Sequence, residues 1–297
     1  MGSAPAAVAS GRMFATLLGP LPRPPLPDDA APEAVLDAVL ALQAEHGLDP
    51  LTSVGWDLVD GDAVASWRAA SARTDRLVKA VLDGPVSSGM DPVTLRSSLF
   101  ALAEAGCAWI EIHEPQATTI DDDAGRDRFG DAHRALTAGL SGVHLSLALT
   151  GGSAERLGID AVLAGGYSSI AVDLIDGPDN WRLVAAMPPD RGIIAGALST
   201  RAGSDDGPEM LLWAAAYAAS TAGRGGARVG LATADSLAHL PWDAAVAKVA
   251  SLGAAARLAE ATADEIRATV DPRALDIRSA AMGRGLPAPR SAPPRRP

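Results

Sequence analysis

Short apolar runs alternate with helix-like segments through the middle of the chain. Each run is four to six residues long and is followed by Gly, Pro, Asp or Ser. This pattern is typical of strands that are buried on both faces of a parallel sheet. The eight predicted strands cover residues 14–18, 51–54, 77–82, 108–113, 142–147, 169–174, 192–197 and 227–232.

Helical periodicity fills the intervals between these strands. One helix begins at Pro32, which suits a first helical turn, and stops at Gly47; another begins with Asp91 as its cap and stops at Gly106. Eight such units predict a closed (β/α)8 TIM barrel, because right-handed crossovers of this number close around a filled interior. An open doubly wound sheet is the alternative, which the absence of GxGxxG and Walker motifs disfavours.

The two ends of the chain differ from its middle in composition. Residues 1–12 are small and aperiodic, and the chain finishes in the Pro/Arg-rich stretch GRGLPAPRSAPPRRP. We therefore predict a disordered N-terminus over 1–12, a single barrel over 13–265, and a C-terminal extension with a disordered tail over 266–297.

Charge and cysteine content narrow the partners and the compartment. The formal net charge of −11 argues against nucleic acid as a partner, since no general basic surface is available to attract phosphates. The chain has no apolar run of about 18 residues and no signal-peptide pattern, so we expect no membrane partner. Its one cysteine, Cys107, fits a reducing compartment, and we expect a cytoplasmic protein.

In a barrel of this kind the functional side chains project from the carboxyl ends of the strands. We expect His113, His144, Asp173 and Asp235 to converge there. These residues predict a mouth lined by His and Asp, although their spacing is not a local metal-binding motif such as HExxH.

Five segments follow one another in an order that carries a family resemblance. They are LLGPLPRP at 17–24, KAVLDGPV at 79–86, WIEIHEP at 109–115, VDLIDGP at 172–178 and TADSLAHLP at 233–241. In this order they resemble the cobalamin-independent methionine synthase family, within the larger group that holds uroporphyrinogen decarboxylase and zinc thiol methyltransferases. The last segment is closest to the amino-terminal, non-catalytic barrel of the two-barrel synthases.

The resemblance implies a zinc site that this chain does not reproduce. The family binds zinc through His-x-Cys after strand 5, Glu after strand 6 and Cys after strand 8, and these positions read His144, Ser146, Asp173 and Asp235. A serine hydroxyl is a poor zinc ligand where a thiolate is a strong one, so we do not expect zinc. His144 with Asp173 and Asp235 suits a harder divalent ion such as Mn²⁺ or Fe²⁺; a metal-free pocket and a structural role are the alternatives.

The remaining site predictions follow from the same segments. His113 replaces the aspartate of the family's D-E-P motif, and we assign catalysis to His113, Glu114 and His144. For Glu114 the alternative is a buried carboxylate that accepts backbone N–H bonds. The predicted substrate-binding residues are Trp56, Asp57, Lys79 and Ser146.

The resemblance predicts a methyltransferase that moves a one-carbon group to a small thiol or other nucleophile. It implies a small-molecule substrate, a methyltetrahydrofolate-type donor or a corrinoid protein, and a partner chain as a further option. Two alternatives remain open: a metal-free homologue that serves as a binding or scaffold barrel, and another reaction of the group, such as decarboxylation.

Overall fold

A computed structural model describes residues 12–52, 62–204 and 207–269 of the chain. Within these ranges eight strands are formed, all with parallel neighbours. They are β1 Phe14–Thr16, β2 Leu51–Thr52, β3 Val78–Asp83, β4 Trp109–His113, β5 His144–Leu149, β6 Ser169–Asp173, β7 Gly192–Leu198 and β8 Val229–Thr233.

Helices separate the strands and cover the outside of the sheet. The α-helices of the described residues are α1 Pro32–Glu45, α2 Ala63–Ser71, α3 Pro85–Ser88, α4 Pro92–Glu104, α5 Asp123–Thr137, α6 Ile159–Val162, α7 Asn180–Ala186, α8 Pro208–Ser220, α9 Trp242–Ala259 and α10 Ala263–Thr269. Aspartates cap the amino ends of two of these helices. The Asp91 side chain accepts a hydrogen bond from the Thr94 amide at the start of α4, and the Asp122 side chain accepts one from the Gly125 amide at the start of α5.

The sheet curls into a nearly closed barrel. Neighbouring strands are hydrogen-bonded to each other in the order β1-β8-β7-β6-β5-β4-β3-β2. Side chains bridge the seam between the two end strands: the Thr16 hydroxyl donates to the Pro50 carbonyl at 2.9 Å, and the Thr52 hydroxyl donates to the Leu17 carbonyl at 3.1 Å. The prediction of a (β/α)8 TIM barrel is confirmed.

The interior of the barrel combines a few large side chains with many small ones. Phe14 and Trp109 meet edge to face with ring centroids 5.4 Å apart near the amino ends of their strands. A Cβ on Gly230 would lie 2.3 Å from the Phe14 ring, so only glycine leaves room for this packing. The amino end of the barrel is thereby filled by packed side chains.

The predicted domain limits fall partly on residues outside the described ranges. Of the expected disordered ends, only Arg12 and residues 266–269 are described, and the latter belong to α10. None of the helices in the described part of the chain has the length and hydropathy needed to span a membrane.

Candidate active site

The carboxyl end of the barrel gathers polar side chains from several strands. His113 ends β4, Asp173 ends β6, and Asp235 follows β8 after Thr233 and Ala234. Asn180 ties two of the loops together, because its side-chain amide donates to the Asp173 carbonyl at 2.7 Å and to the Gly152 carbonyl at 3.0 Å. The mouth is thus a connected surface built by neighbouring strands.

A chain of charged side chains leads from this mouth into the barrel. His113, which is 8% exposed, shares a hydrogen bond of 2.8 Å between its Nε2 and Glu111 Oε1. The same Glu111 oxygen accepts a hydrogen bond of 2.7 Å from Lys79 Nζ, which also donates to the Leu17 carbonyl at 2.7 Å. Lys79 and Glu111 are completely buried, so this is an ion pair inside the barrel.

The charges of this network support one another. Burial alone would raise the pKa of Glu111, but the Lys79 ammonium and the hydrogen bond from His113 outweigh it and lower the pKa to about 2. Burial lowers the pKa of Lys79 more than Glu111 raises it. With Glu111 held as a carboxylate, which can only accept, His113 must carry its proton on Nε2.

A second polar branch continues from Glu111 toward the amino end. The Ser146 hydroxyl donates to Glu111 Oε2 at 3.2 Å and accepts from the Trp109 indole N–H at 2.9 Å. Ser146 is fully buried, as is Lys79. Both residues were predicted to bind substrate; the structure places both in the barrel interior, where they support Glu111.

The structure corrects the predicted position of His144. This residue begins β5, pairs in register with Trp109 and stacks on its indole with ring centroids 3.9 Å apart. Its Nε2 lies 2.9 Å from the Ser169 hydroxyl at the start of β6. His144 is therefore part of the packed amino end, opposite the mouth, and burial lowers its pKa to about 4.

The predicted metal site of His144, Asp173 and Asp235 is consequently wrong. His144 lies at one end of the barrel and the two aspartates at the other. Among the residues described, no three His, Cys, Asp or Glu side chains are grouped so that they could hold a metal ion. The zinc of the resembled family, like the harder ion considered in its place, does not fit these donors.

Glu114 anchors a loop through both of its carboxylate oxygens. Oε1 accepts from the Val86 amide at 2.9 Å, and Oε2 accepts from the Ser87 amide at 2.7 Å, at the start of α3. His133 Nε2 lies 3.2 Å from Oε1, and both side chains are fully buried. A Cβ on Gly84 would lie 2.2 Å from Oε1, so this glycine makes the contact possible. Glu114 thus has the contacts of the alternative considered for it, a buried acceptor of backbone N–H bonds.

Asp173 and Asp235 form an acidic pair at the mouth. Asp173 is fully buried; its Oδ1 accepts from the Ile175 amide at 2.8 Å and the Asp176 amide at 2.9 Å. Asp235 Oδ1 accepts from the Ser236 amide at 2.7 Å. Burial raises the pKa of Asp173, and the nearby carboxylates of Asp176 and Asp235 add to this.

Three residues remain to be placed: two that were predicted to bind substrate, and one that was given no role. Trp56 and Asp57 lie outside the described residues. Glu111 received no role from the sequence, although the W-I-E-I-H alternation places it on the same strand face as Trp109 and His113. A lysine in β3 and a glutamate in β4, both in strands predicted to be buried, were the signal that an ion pair would form there.

Comparison with known proteins supports the resemblance without establishing membership. The chain is 30% identical over 190 residues to a 5-methyltetrahydropteroyltriglutamate–homocysteine methyltransferase of Rhodopseudomonas palustris (strain ATCC BAA-98 / CGA009). That match covers 56% of this chain and spans about a quarter of the relative's length, 23%. No protein-family model matches the chain.

Solved structures show the same fold. A B12-independent methionine synthase from Shewanella sp. W3-18-1, in complex with selenomethionine, superposes with a TM-score of 0.72 at 12% identity, covering 86% of this chain and 99% of that one. A methyltransferase from Methanosarcina mazei gives a TM-score of 0.55 at 13% identity, with coverage of 86% and 97%. At such identities the likeness concerns the fold, and this chain is a barrel similar to those of methionine synthases.

Proposed function

We propose that this chain is a barrel enzyme that transfers a methyl or other one-carbon group to a small nucleophile. The observation that carries the proposal is the His113–Glu111–Lys79 network, which places an oriented imidazole at the mouth of a barrel similar to methionine synthases. The donor we propose is a reduced folate of the methyltetrahydrofolate type, with a corrinoid protein as the alternative carrier. The sequence similarity to a methyltetrahydropteroyl-dependent enzyme supports the folate.

His113 has the arrangement of a general base. Its Nε2 is committed to Glu111, and within the described residues the structure shows no hydrogen bond to its Nδ1. A neutral imidazole with its proton on Nε2 has its lone pair on Nδ1, so Nδ1 is the atom available to accept a proton. Glu111 is a positioning residue that orients the ring and stabilises its protonated form, and Lys79 keeps Glu111 ionised.

In the proposed transfer, His113 takes one proton from the nucleophile and returns it to the donor. The nucleophile loses its proton to Nδ1 and attacks the methyl carbon, and the carbon–nitrogen bond of the donor breaks as the new bond forms. The donor nitrogen keeps the bonding electrons and takes the proton back from His113. Because no group of donors for a metal is assembled among the described residues, nucleophile activation in this scheme depends on the base alone.

Labelled methyl transfer by the purified full chain tests the proposal. Methyl-¹³C methyltetrahydrofolate would be incubated with a panel of small thiols, amines and alcohols, and methylated products would be read by mass spectrometry. His113→Asn should lower the rate by about 10²–10⁴-fold, the usual contribution of a general base. His46→Asn is the matched control, because His46 follows α1 at the amino end of the barrel, away from the mouth.

The outcomes separate the candidate functions. Transfer that depends on His113 but not on His46 supports the proposal. Transfer that is unaffected by His113→Asn would contradict the assigned base. If the chain neither binds the donor nor transfers its methyl group, the proposal fails and a binding or scaffold barrel explains the fold better.

A further inference from the structure

One carboxylate oxygen at the mouth lacks the partner that its burial demands. Asp173 Oδ2 is inaccessible to solvent and has no hydrogen-bond partner among the described residues, while the other oxygen of the same carboxylate accepts two backbone amides. Buried carboxylate oxygens are almost always satisfied, because leaving one unpaired costs its full desolvation. The oxygen therefore indicates a donor that binds from outside the chain.

The charge of Asp235 acts on Asp173 and favours a donor that carries positive charge. Asp235 lies close enough to raise the pKa of Asp173, and its Oδ2 is 3.7 Å from the position that a Cβ on Gly151 would take. β7 passes between the two acidic residues with Gly196, which pairs with Asp173 in register and has no side chain to separate them. Two carboxylates whose charges interact in this way attract positive charge.

The chain itself does not neutralise the pair within the described residues. The Arg201 guanidinium at this end of the barrel binds Asp176, and no ion pair joins a Lys, Arg or His to Asp173 or Asp235. Each of the two carboxylates has already committed its Oδ1 to the backbone. What remains is one oxygen from each residue.

These two oxygens suit an ammonium group better than a metal ion. An ammonium has three donors and needs only a few acceptors, whereas hard divalent ions take about six or more oxygen ligands. We propose that Asp173 and Asp235 form a subsite for the primary ammonium group of a small-molecule ligand that enters the carboxyl end of the barrel. The inference rests on the proposed function in one respect: the ammonium would belong to the methyl acceptor.

Amide resonances next to the two carboxylates give a direct test. The full chain, labelled with ¹⁵N, would be titrated with n-butylammonium chloride, with neutral 1-butanol and with MgCl₂ at matched ionic strength. The amides of Ile175, Asp176 and Ser236 donate to the two carboxylates and should report binding. We expect saturable shifts with butylammonium, none with butanol, and at least a tenfold weaker dissociation constant in Asp173→Asn and in Asp235→Asn.

The variants are chosen so that the result remains interpretable. In Asp173→Asn the amide oxygen can still accept from Ile175 and Asp176, and Asp235→Asn serves if the first variant does not fold. Asp190→Asn is the matched control, because it removes an exposed carboxylate before β7, at the opposite end of the barrel. Its affinity for butylammonium should equal that of the wild type.

Each contrary outcome overturns the inference in its own way. Absence of saturable shifts, or equal shifts with butanol, would show that the pair does not recognise an ammonium. Tighter binding of Mg²⁺ at the same amides, lost in both Asn variants, would make the pair a metal site. The titration contains no methyl donor, so butylammonium can bind even if methyl transfer fails, and transfer can succeed even if butylammonium does not bind.

Discussion

Replacing Lys79 by methionine should destabilise the barrel strongly. The side chain is fully buried, and its ammonium contacts Glu111 at 2.7 Å. Methionine has a similar length and is apolar, so the substitution removes the charge with little change in packing. Glu111 would then be left as a buried carboxylate with only His113 and Ser146 as side-chain partners.

The structure sets the size of the effect. The difference between the ordinary Glu111 pKa of 4.5 and its value of about 2 corresponds to about 3 kcal/mol of preference for the carboxylate in the folded protein. Removing one partner of a buried ion pair typically costs about 3–5 kcal/mol. Because His113 and Ser146 still hydrogen-bond to Glu111, we expect Lys79→Met to lower the free energy of unfolding by about 3 kcal/mol at pH 7, the lower end of this range. This contribution is fully present above pH 4.5 and is lost as the pH falls through about 2.

Urea unfolding followed by far-UV circular dichroism and by tryptophan fluorescence would measure the change, with coincidence of the two curves as the test of two-state behaviour. The double variant Lys79→Met/Glu111→Gln should be more stable than Lys79→Met, because it no longer buries an unpaired charge. Arg134→Met, which breaks an exposed ion pair with Asp131, should cost less than about 1 kcal/mol. A loss below 1 kcal/mol for Lys79→Met, or a double variant as unstable as the sum of the two single variants, would show that Lys79 and Glu111 do not stabilise each other.

Two further predictions concern buried groups at the amino end of the barrel. Burial lowers the pKa of His144 to about 4 in the folded protein, against 6.5 in the unfolded chain. The contribution of His144 to the free energy of unfolding is therefore present above pH 6.5, and about 3 kcal/mol is lost as the pH falls through 4. The free energy of unfolding of His144→Gln should fall less over this interval, and parallel pH curves of the two proteins would contradict the burial of His144. Cys107 is buried and its pKa is raised to about 11, so its thiol should react with Ellman's reagent only after unfolding in urea; rapid labelling of the native protein would contradict this placement.

The fold was predictable because it depends on patterns that the sequence repeats. Apolar runs ended by Gly, Pro, Asp or Ser and separated by amphipathic helices recur eight times, and this periodicity survives errors of one or two residues at each boundary. Strand β5 shows such an error, since it was predicted over 142–147 and forms over His144–Leu149.

The site was harder to predict because it depends on which end of a strand each side chain occupies. Alternation puts His144 and Ser146 on the same face of β5, but a period of two residues cannot tell the mouth from the opposite end. The shift of β5 moved His144 to the first residue of the strand, and the apparent match to a family ligand then pointed to the wrong end. Glu111 was missed for a related reason: its role depends on Lys79 of the neighbouring strand, and pairing between strands is a property of the folded sheet.

Methyl transfer measured in the presence of a chelator separates activation of the nucleophile by His113 from activation by a bound metal ion. The full chain, purified and assayed in EDTA with methyl-¹³C methyltetrahydrofolate and the acceptor panel, would be compared with His113→Asn, and both proteins would be assayed again after dialysis to remove the EDTA and addition of one equivalent of zinc. We expect transfer by the wild type in EDTA, no gain on adding zinc, and loss of about 10²-fold or more in His113→Asn. Transfer that appears only after zinc is added, and that is equal in the wild type and His113→Asn, would contradict this expectation.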